Sequence, residues 1–524
     1  MVRRRGTLRT IGLAAWTANA LLLPGCEGEG GSGGLVIRTD ILVENCTPSP
    51  SLSAFPAGLA VPAQPRNVAL LSQTDPNGIA VYDLSGERPR TRSARTLGTD
   101  SDADGIDDAQ AIRPVLGVAR YPVMGEIQVV AAGVALASTS NYEQVLAFDP
   151  ATGEPVPLTL RQPDALPGLE LPLFPAPDAP VVRTGISTLA CVYPAAVVDS
   201  GGNPVAPEAR CDASRPSFLT NLTAGKALAA GRLFVATSNL TRGSRFLPGT
   251  VLVFDWQDGP DGIEVRPAES TPVLFTSGFN ATGLATFRTV GGRELVLVTV
   301  TGAIGAGTGP GNVFSEAFVD VVDPTVPRIV ATIPLGLAGP AFDAPAIDPT
   351  GRIAWLGASS MRQLYAIDLR PLDDPRLYTG DPEPVVLDGL SLGGLDARIF
   401  TADRPFVLPP RSDGRASTLC EGSTDVTINA AGTEAFASDF CDGTVTRIRL
   451  DLAVDAAIPF AADRFDVLAQ ENAFAPNDVV GALRSPLLLV ARPGVPGIDY
   501  VSADVVALVG QPDGQICGIR IESR

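Results

Sequence analysis

The sequence predicts an all-β protein, a β-propeller of seven blades with loop insertions, and three observations support this prediction. Short apolar or alternating runs, separated by Gly, Pro, Asn and Asp, dominate from residue 35 onward and are typical of strands. A unit of two strands, the second ending in Asp, recurs along the chain. Glycine and proline supply 54 and 47 of the 524 residues, which favours many short strands over long helices.

The two-strand unit occurs in six clear copies. Their strand-end aspartates are Asp83, Asp149, Asp255, Asp323, Asp368 and Asp451. The shortest spacing, 45 residues from Asp323 to Asp368, matches a four-stranded propeller blade of ~40–45 residues. A weaker copy at 486–491 and 500–508 lacks the aspartate and brings the predicted count to seven blades, with six or eight as alternatives.

A closed ring explains why such a unit repeats. A single four-stranded sheet must cover both of its faces, and a ring of sheets leaves none exposed at an end. Residues 35–43 alternate before Cys46, and an apolar run follows Cys517, so we expect the two chain ends to share one blade. A Cys46–Cys517 disulfide would lock that seam. Two stacked β-sandwiches are the alternative, but they do not predict the same unit many times.

Residues 1–25 are predicted to be a lipoprotein signal peptide. Four arginines precede the apolar stretch 11–23, whose 13 residues are too few to cross a hydrocarbon core of ~30 Å. The stretch ends in Leu23-Pro24-Gly25-Cys26, which resembles a bacterial lipoprotein box and implies that Cys26 receives lipid. Residues 26–34 form the lipidated cysteine and a Gly-rich flexible tether. The alternative is a secreted protein in which Cys26 is incidental.

The remaining chain, 35–524, is predicted to be one propeller domain with a long insertion at about 157–229. We expect an exported, membrane-anchored lipoprotein of a bacterial cell envelope, on the periplasmic or surface face of the outer membrane. Its lipid would be its only membrane contact, and we expect a monomer. The formal net charge of −18 repels phosphate backbones and argues against nucleic acid as a partner.

Six further cysteines are predicted to form structural disulfides. An even number in an exported chain favours pairing, although six cysteines allow 15 connectivities. Their spacing favours three pairs: Cys191 with Cys211, Cys420 with Cys441, and Cys46 with Cys517. The chain has no histidine, so a mixed Cys/His zinc site is excluded.

An acidic loop at residues 100–108 is the sharpest candidate for a metal site. Carboxylates at alternating positions, with Gly105 at the sixth, are the pattern of a calcium loop. Position 12 is Ala111, so the loop is not a complete EF-hand and instead resembles the loops of thrombospondin type 3 and dockerin repeats. The resemblance implies Ca²⁺ bound by Asp100, Asp102, Asp104 and Asp108. The alternative is a solvated acidic loop.

The absence of histidine also removes one catalytic design. The sequence 389–393 matches a nucleophile elbow, but no histidine can act as the base of a Ser-His-Asp triad. The glycine-rich segment 302–311 fits neither a dinucleotide fingerprint nor a P-loop. Neither segment is predicted to be a site.

The blade sequences 321–336, 347–356 and 425–438 resemble YVTN-type and lactonase-like propellers. The resemblance implies the propeller fold, and in lactonase-like members it implies carboxylates and amides around a metal in the central tunnel. The favoured hypothesis is a non-catalytic binding or scaffolding platform for an unknown envelope protein or small ligand. A calcium-assisted lactonase-like hydrolase is the alternative, and carbohydrate cleavage by paired carboxylates is a third.

Overall fold

The structure is a computed structural model of the chain, and its described secondary structure consists of strands and short 3-10 helices. The described residues are 41–48, 56–62, 64–74, 77–83, 90–96, 124–130, 132–139, 144–160, 185–187, 198–204, 218–219, 222–241, 246–260, 262–303, 315–337, 339, 344–358, 362–379, 383–409, 423–429, 431–439, 444–451, 465–472, 486–490, 505–510 and 515–521. No helix within them is both long and apolar enough to cross a membrane.

Three short 3-10 helices lie close together in the sequence, and the other described elements are strands. The helices are Arg370–Asp373, Pro375–Tyr378 and Leu392–Gly394. The strands are β1 (Ile41–Pro48), β2 (Pro56–Ala60), β3 (Val68–Thr74), β4 (Asn77–Asp83), β5 (Arg90–Thr96), β6 (Met124–Val129), β7 (Ala135–Thr139), β8 (Gln144–Phe148), β9 (Pro155–Val156), β10 (Leu158–Leu160), β11 (Gly185–Ser187), β12 (Phe218–Leu219), β13 (Leu222–Ala229), β14 (Arg232–Thr237), β15 (Leu240–Thr241), β16 (Pro248–Gly259), β17 (Gly262–Pro267), β18 (Val273–Phe279), β19 (Ala281–Arg288), β20 (Glu294–Val300), β21 (Ala317–Asp323), β22 (Arg328–Gly336), β23 (Ala346–Ile347), β24 (Ile353–Gly357), β25 (Gln363–Asp368), β26 (Val385–Val386), β27 (Arg398–Phe400), β28 (Phe406–Val407), β29 (Ser423–Ile428), β30 (Glu434–Asp439), β31 (Thr444–Leu450), β32 (Phe465–Asn472), β33 (Pro486–Val490), β34 (Val505–Gly510) and β35 (Gln515–Ile521).

Six antiparallel blades are built from consecutive stretches of chain. Blade 1 contains β2–β5; blade 2, β6–β8 with β9 and β11; blade 3, β13, β14, β16 and β17 with β18; blade 4, β19–β22; blade 5, β23–β25 and β27 with β28; and blade 6, β29–β32. The first strand of blade 3, β13, lies within the predicted insertion 157–229. The all-β propeller prediction is therefore confirmed.

Apolar side chains fill the spaces between neighbouring blades. Among the described residues, five clusters each draw on two consecutive blades, from Leu70 and Ile127 between blades 1 and 2 to Trp355 and Ile448 between blades 5 and 6. Blades 2 to 5 thus bury both faces against their neighbours, which is the burial that drives a ring to form.

The predicted count of seven blades is wrong, because the structure has six blades of consecutive strands. The weaker seventh copy supplies only three consecutive strands, β33–β35. Instead they form a terminal sheet with β1, in the order β1-β35-β34-β33. β33 contacts β29 and β2, so the terminal sheet lies between blades 6 and 1 and joins the two ends of the chain.

Two short strands cover the outer edges of neighbouring blades. β10 leaves blade 2 and pairs in parallel with β17 of blade 3, with Leu158 opposite Ile263. β26 belongs to the connection between β25 and β27 of blade 5, but it pairs in parallel with β22 of blade 4. These additions occupy backbone groups that an edge strand would otherwise present to other chains.

The strand-end aspartates of the predicted repeat shape the turns that follow them. Asp149 Oδ1 accepts the backbone N–H of Ala151 at 2.7 Å, and Asp323 Oδ1 accepts that of Thr325 at 2.9 Å. Asp368 Oδ1 accepts the N–H of Arg370 at 3.0 Å. A side-chain oxygen that caps an N–H two residues later is an Asx turn, so at these three positions the recurring Asp closes the connection that follows the third strand. Asp255 was predicted as a strand end but lies within β16, where its Oδ1 accepts from Arg232 Nε at 3.0 Å.

The two ends of the blades carry connections of different length. On the end here named the tight-turn face, the first strand joins the second and the third joins the fourth, often by turns such as 230–231, 289–293 and 324–327. The opposite end, the long-loop face, carries the connections from blade to blade and from second to third strand, including 97–123 and 301–316. The long-loop face also has short second-to-third connections at 75–76, 140–143, 358–362 and 440–443 and the single-residue connection at Asn280, and the tight-turn face has two long connections, 369–397 and 451–464.

Candidate functional site

The innermost strands of blades 2, 3 and 4 are tied together by one side-chain amide. Gln128 on β6 accepts the backbone N–H of Lys226 on β13 at 2.7 Å. Its amide nitrogen donates to the backbone oxygen of Leu284 on β19 at 2.9 Å. Both ends of the amide are therefore used to hold three blades in register.

One of these innermost strands, β13, carries the only lysine of the protein. Lys226 is 2% exposed, and its Nζ donates to Ser138 Oγ on β7 at 3.3 Å. Its neighbour Leu228 packs into the apolar cluster between blades 2 and 3. The lysine stem thus lies in an interface between blades, where its ammonium group meets a hydroxyl of the adjacent sheet.

A glycine next to Lys226 allows the inner strands to approach closely. A Cβ atom on Gly225 would lie 2.4 Å from the backbone oxygen of Thr282 and 2.7 Å from the backbone nitrogen of Leu284. Only a residue without a side chain fits between β13 and β19 at this level. The recurring sequences 57–60, 224–227 and 282–285 each place a glycine on an innermost strand.

A buried carboxylate joins blade 3 to blade 4. Asp320 on β21 is fully buried and accepts the backbone N–H of Ser277 at 2.8 Å and the hydroxyl of Thr332 at 2.8 Å. The hydroxyl groups of Ser277 and Thr332 are themselves 2.7 Å apart. Burial raises the pKa of the Asp320 carboxyl above its usual range, and these hydrogen bonds offset the effect only in part.

Hydroxyl and amide groups gather where blade 3 meets the long-loop face. Asn239 adopts a left-handed backbone conformation with φ 54°, and its amide nitrogen donates to the backbone oxygen of Pro248 at 2.9 Å and to Thr250 Oγ1 at 3.1 Å. Thr250 Oγ1 also contacts Thr237 Oγ1. The buried Oδ1 of Asn239 has no hydrogen-bond partner among the described residues. These contacts fix the end of a strand, and no carboxylate is part of them.

The predicted lipid and metal residues lie outside the described residues. This holds for Cys26 and for Asp100, Asp102, Asp104 and Asp108. No group of three or more metal-ligating side chains occurs within the described part of the chain. Binding of lipid and of calcium therefore remain predictions from the sequence.

The cysteines are only partly described. Cys191, Cys211, Cys420 and Cys441 lie outside the described residues. In the sequence, Cys420 precedes Ser423 by three residues and Cys441 follows Asp439 by two residues. Ser423 and Asp439 are register partners in adjacent strands. Cys46 and Cys517 are themselves register partners in adjacent strands of the terminal sheet.

The nucleophile-elbow sequence forms a surface turn in the connection between β25 and β27. Asp388 Oδ1 accepts the backbone N–H of Leu390 at 2.8 Å and of Ser391 at 3.1 Å. These N–H groups hold the pKa of the Asp388 carboxyl below its usual range. Leu390 is 89% exposed, so Ser391 belongs to a capped turn and not to a strand-to-helix elbow.

Gln128, Lys226 and Asp320 are the polar side chains that sequence analysis missed. Two of them could have been suspected from the sequence. Lys226 is the only lysine among 39 basic residues, and Asp320 lies inside the apolar run of β21. Neither signal names the partner, because the partners lie in other blades. For Gln128 no local signal exists at all.

Comparison with known proteins finds similar folds and no family. No protein-family model matches the chain, and no curated protein matches its sequence. Hydrazine synthase of Kuenenia stuttgartiensis is similar in structure, with TM-score 0.46, 9% identity, and coverage of 94% of this chain and 99% of that chain. The β-propeller domain of Myceliophteria thermophila Cps50 (Swd1) has TM-score 0.40, 10% identity and coverage of 91% and 99%. The Dos1 propeller has TM-score 0.43, 9% identity and coverage of 91% and 96%. These similarities concern fold alone.

Proposed function

We propose that the protein is an envelope-anchored lipoprotein whose propeller is a non-catalytic binding platform, and that its long-loop face is the binding surface. The observation that carries this proposal is the unequal division of the connections between the two ends of the blades. Binding residues in proteins concentrate on loops that a rigid scaffold positions. The longest connections between consecutive blades leave from one end of such a scaffold, and the partner would be an envelope protein or a small ligand.

The polar groups between the innermost strands support a structural use of the ring interior. Both ends of the Gln128 amide form hydrogen bonds with the backbones of neighbouring blades, and Lys226 donates to Ser138 of the adjacent sheet. A catalytic group must reach a substrate within hydrogen-bond distance. Side chains already engaged between blades are available to hold the scaffold rigid, and rigidity lowers the ordering cost of binding.

The predicted calcium loop follows the last strand of blade 1 in the sequence. Asp100, Asp102, Asp104 and Asp108 fall in connection 97–123, which joins blade 1 to blade 2. We propose that Ca²⁺ bound there orders this connection as part of the binding surface. Chelation should then lower the melting temperature, and the double variant Asp102→Ala/Asp104→Ala should remove that response. An identical response in the variant would contradict the calcium site.

The proposed anchor would hold the propeller beside the membrane. We propose that lipid on Cys26 and the tether 27–34 hold the propeller at the membrane without burying it. The acidic body, with net charge −18 for the whole chain, is repelled by anionic lipid headgroups. The lipid would therefore position the platform while its surface stays available to a partner.

Photocross-linking from exposed positions on both faces tests the platform. Amine-reactive reagents are unsuitable because the only lysine is buried. A photoreactive residue is placed at Leu337 or Val198, which are 58% and 50% exposed on the long-loop face, in the full-length protein in its native membrane. Matched controls on the tight-turn face are Val290 and Val326, at 59% and 62% exposure.

We expect discrete adducts from the long-loop positions and none from the controls. Equal adducts from both faces would contradict the assignment of the face. Turnover of a lactone panel by the purified protein, dependent on added Ca²⁺, would contradict a non-catalytic platform and favour the hydrolase alternative.

A further inference from the structure

The first and last strands of the described chain bring two cysteines directly opposite each other. β1 pairs antiparallel with β35, and the register places Ile41 opposite Ile521 and Cys46 opposite Cys517. The paired strands come from opposite ends of the sequence, 471 positions apart at the cysteines. No local pattern in the chain requires this register.

A bulge in β1 produces the cysteine pairing. The register shifts between Glu44, which is opposite Gly518, and Cys46, which is opposite Cys517, so Asn45 is the extra residue. In an unbroken ladder Asn45 would lie opposite Cys517, and Cys46 would lie one position further along. A β-bulge leaves one residue of the strand without a partner in the ladder. Here the unpaired residue is Asn45, and its insertion aligns Cys46 with the only cysteine of the opposite strand.

We propose that Cys46 and Cys517 form a disulfide that fastens β1 to β35. Opposed residues of an antiparallel pair have Cα atoms ~4.5–5.5 Å apart, which lies within the ~4.4–6.8 Å that a disulfide spans. The proposal rests on the proposed export of the protein, since disulfides persist in oxidising compartments. Each thiol loses its proton, the pair loses two electrons as the S–S bond forms, and a protein disulfide accepts them by thiol–disulfide exchange and leaves as a dithiol.

The position of β1 gives the bond a mechanical role. β1 is the first described strand, and the tether to Cys26 precedes it in the sequence. Any pull on the lipid anchor therefore reaches β1 before it reaches a blade. Within the terminal sheet β1 pairs with β35 alone, so the disulfide is a clasp that transfers this load covalently to β35 and keeps the seam between blades 6 and 1 closed.

Peptide mapping of the full-length protein tests the clasp. The membrane fraction is alkylated without reductant and digested with trypsin, which places Cys46 in peptide 39–66 and Cys517 in peptide 485–520, each as the only cysteine. We expect these two peptides to be recovered linked and to separate on reduction. Recovery of both as alkylated free thiols, or of either linked to another cysteine, overturns the proposal. If the chain instead fractionates with the cytoplasm, the export premise fails separately.

Two variants test the role of the bulge. Exchange of the neighbours, Asn45→Cys/Cys46→Asn, keeps the composition but moves the thiol to the bulged position, and we expect loss of the linked peptides. Deletion of Asn45 removes the bulge and leaves Cys46 next to Glu44, opposite Cys517, so we expect the link to persist. A link that survives the exchange, or is lost on deletion in a protein with unchanged circular dichroism, overturns the register argument.

Proteolysis measures the clasp itself. A protease specific for glutamate cuts after Glu44 only when β1 separates from β35. The variant Cys46→Ser/Cys517→Ser should be cut there several-fold faster than the wild type, whereas the matched variant Cys191→Ser/Cys211→Ser should be cut at the wild-type rate. Equal rates in the wild type and in Cys46→Ser/Cys517→Ser overturn the mechanical role.

Discussion

Replacing Gln128 by alanine should destabilise the ring far more than the loss of one exposed glutamine. The change removes the hydrogen bonds to the Lys226 nitrogen at 2.7 Å and to the Leu284 oxygen at 2.9 Å. Lys226 and Leu284 are 2% and 0% exposed, so their backbone groups would lose a partner in a buried setting. At ~1–3 kcal/mol for each of the two unsatisfied groups, we expect the free energy of unfolding to fall by about 2–6 kcal/mol.

The assay is urea unfolding followed by the fluorescence of Trp256 and Trp355. The midpoint should shift at constant m. Gln257→Ala on β16 is the matched control because Gln257 is exposed, and its effect should stay within about 0.5 kcal/mol. Gln128→Glu keeps the acceptor for Lys226 but faces the Leu284 oxygen with a second oxygen, so its stability should recover as pH falls and the carboxyl can donate again. Equal midpoints for Gln128→Ala and Gln257→Ala would refute the three-blade tie.

Three further perturbations test other parts of the structure. Gly225→Ala should lower the free energy of unfolding by ~1–3 kcal/mol or more through overpacking, because the added Cβ meets backbone atoms of β19. The control Gly259→Ala should lower it less, because its Cβ first meets the flexible side chain of Glu264. Equal losses in the two variants would contradict the close approach of β13 and β19. Asp320→Asn should remove a pH dependence: a carboxyl whose folded pKa is raised stabilises the protein below its unfolded pKa of ~3.9 and loses that contribution as pH rises through the folded pKa. The stability of the wild type relative to Asp320→Asn should therefore fall with rising pH, and a constant difference in thermal unfolding would contradict this. Cys26→Ser should move the protein from membranes to the soluble fraction in cell fractionation, and unchanged membrane association would contradict the anchor.

Local patterns predicted the blades because the blade repeat is itself local. The first unit was predicted to be two strands of which the second ends at Asp83, and the structure has β3 at Val68–Thr74 and β4 at Asn77–Asp83. The strand-end aspartates were predicted from their recurrence, and Asp149 and Asp323 cap the turns after their strands. Alternation, turn residues and spacing act over a few residues, so one sequence reports them well.

Contacts between blades could not be predicted in the same way. Gln128 and Leu284 are 156 residues apart, and nothing in the periodicity of either strand indicates the other. The sequence did predict that the two chain ends pair, but it counted the sheet that they form, β1 with β33–β35, as a seventh blade. The parallel additions β10 and β26 are likewise set by tertiary packing. The sequence therefore predicted the repeated unit better than the way the units join.

The central claim is that the long-loop face binds a partner while the tight-turn face does not. Hydrogen exchange of the full-length protein, measured by mass spectrometry in its native membrane and after purification, tests both faces at once. The account predicts slower exchange in the membrane for peptides from connections 97–123 and 301–316, with unchanged exchange at 289–293 and 324–327. Unchanged exchange on both faces, or protection confined to the tight-turn face, would contradict it.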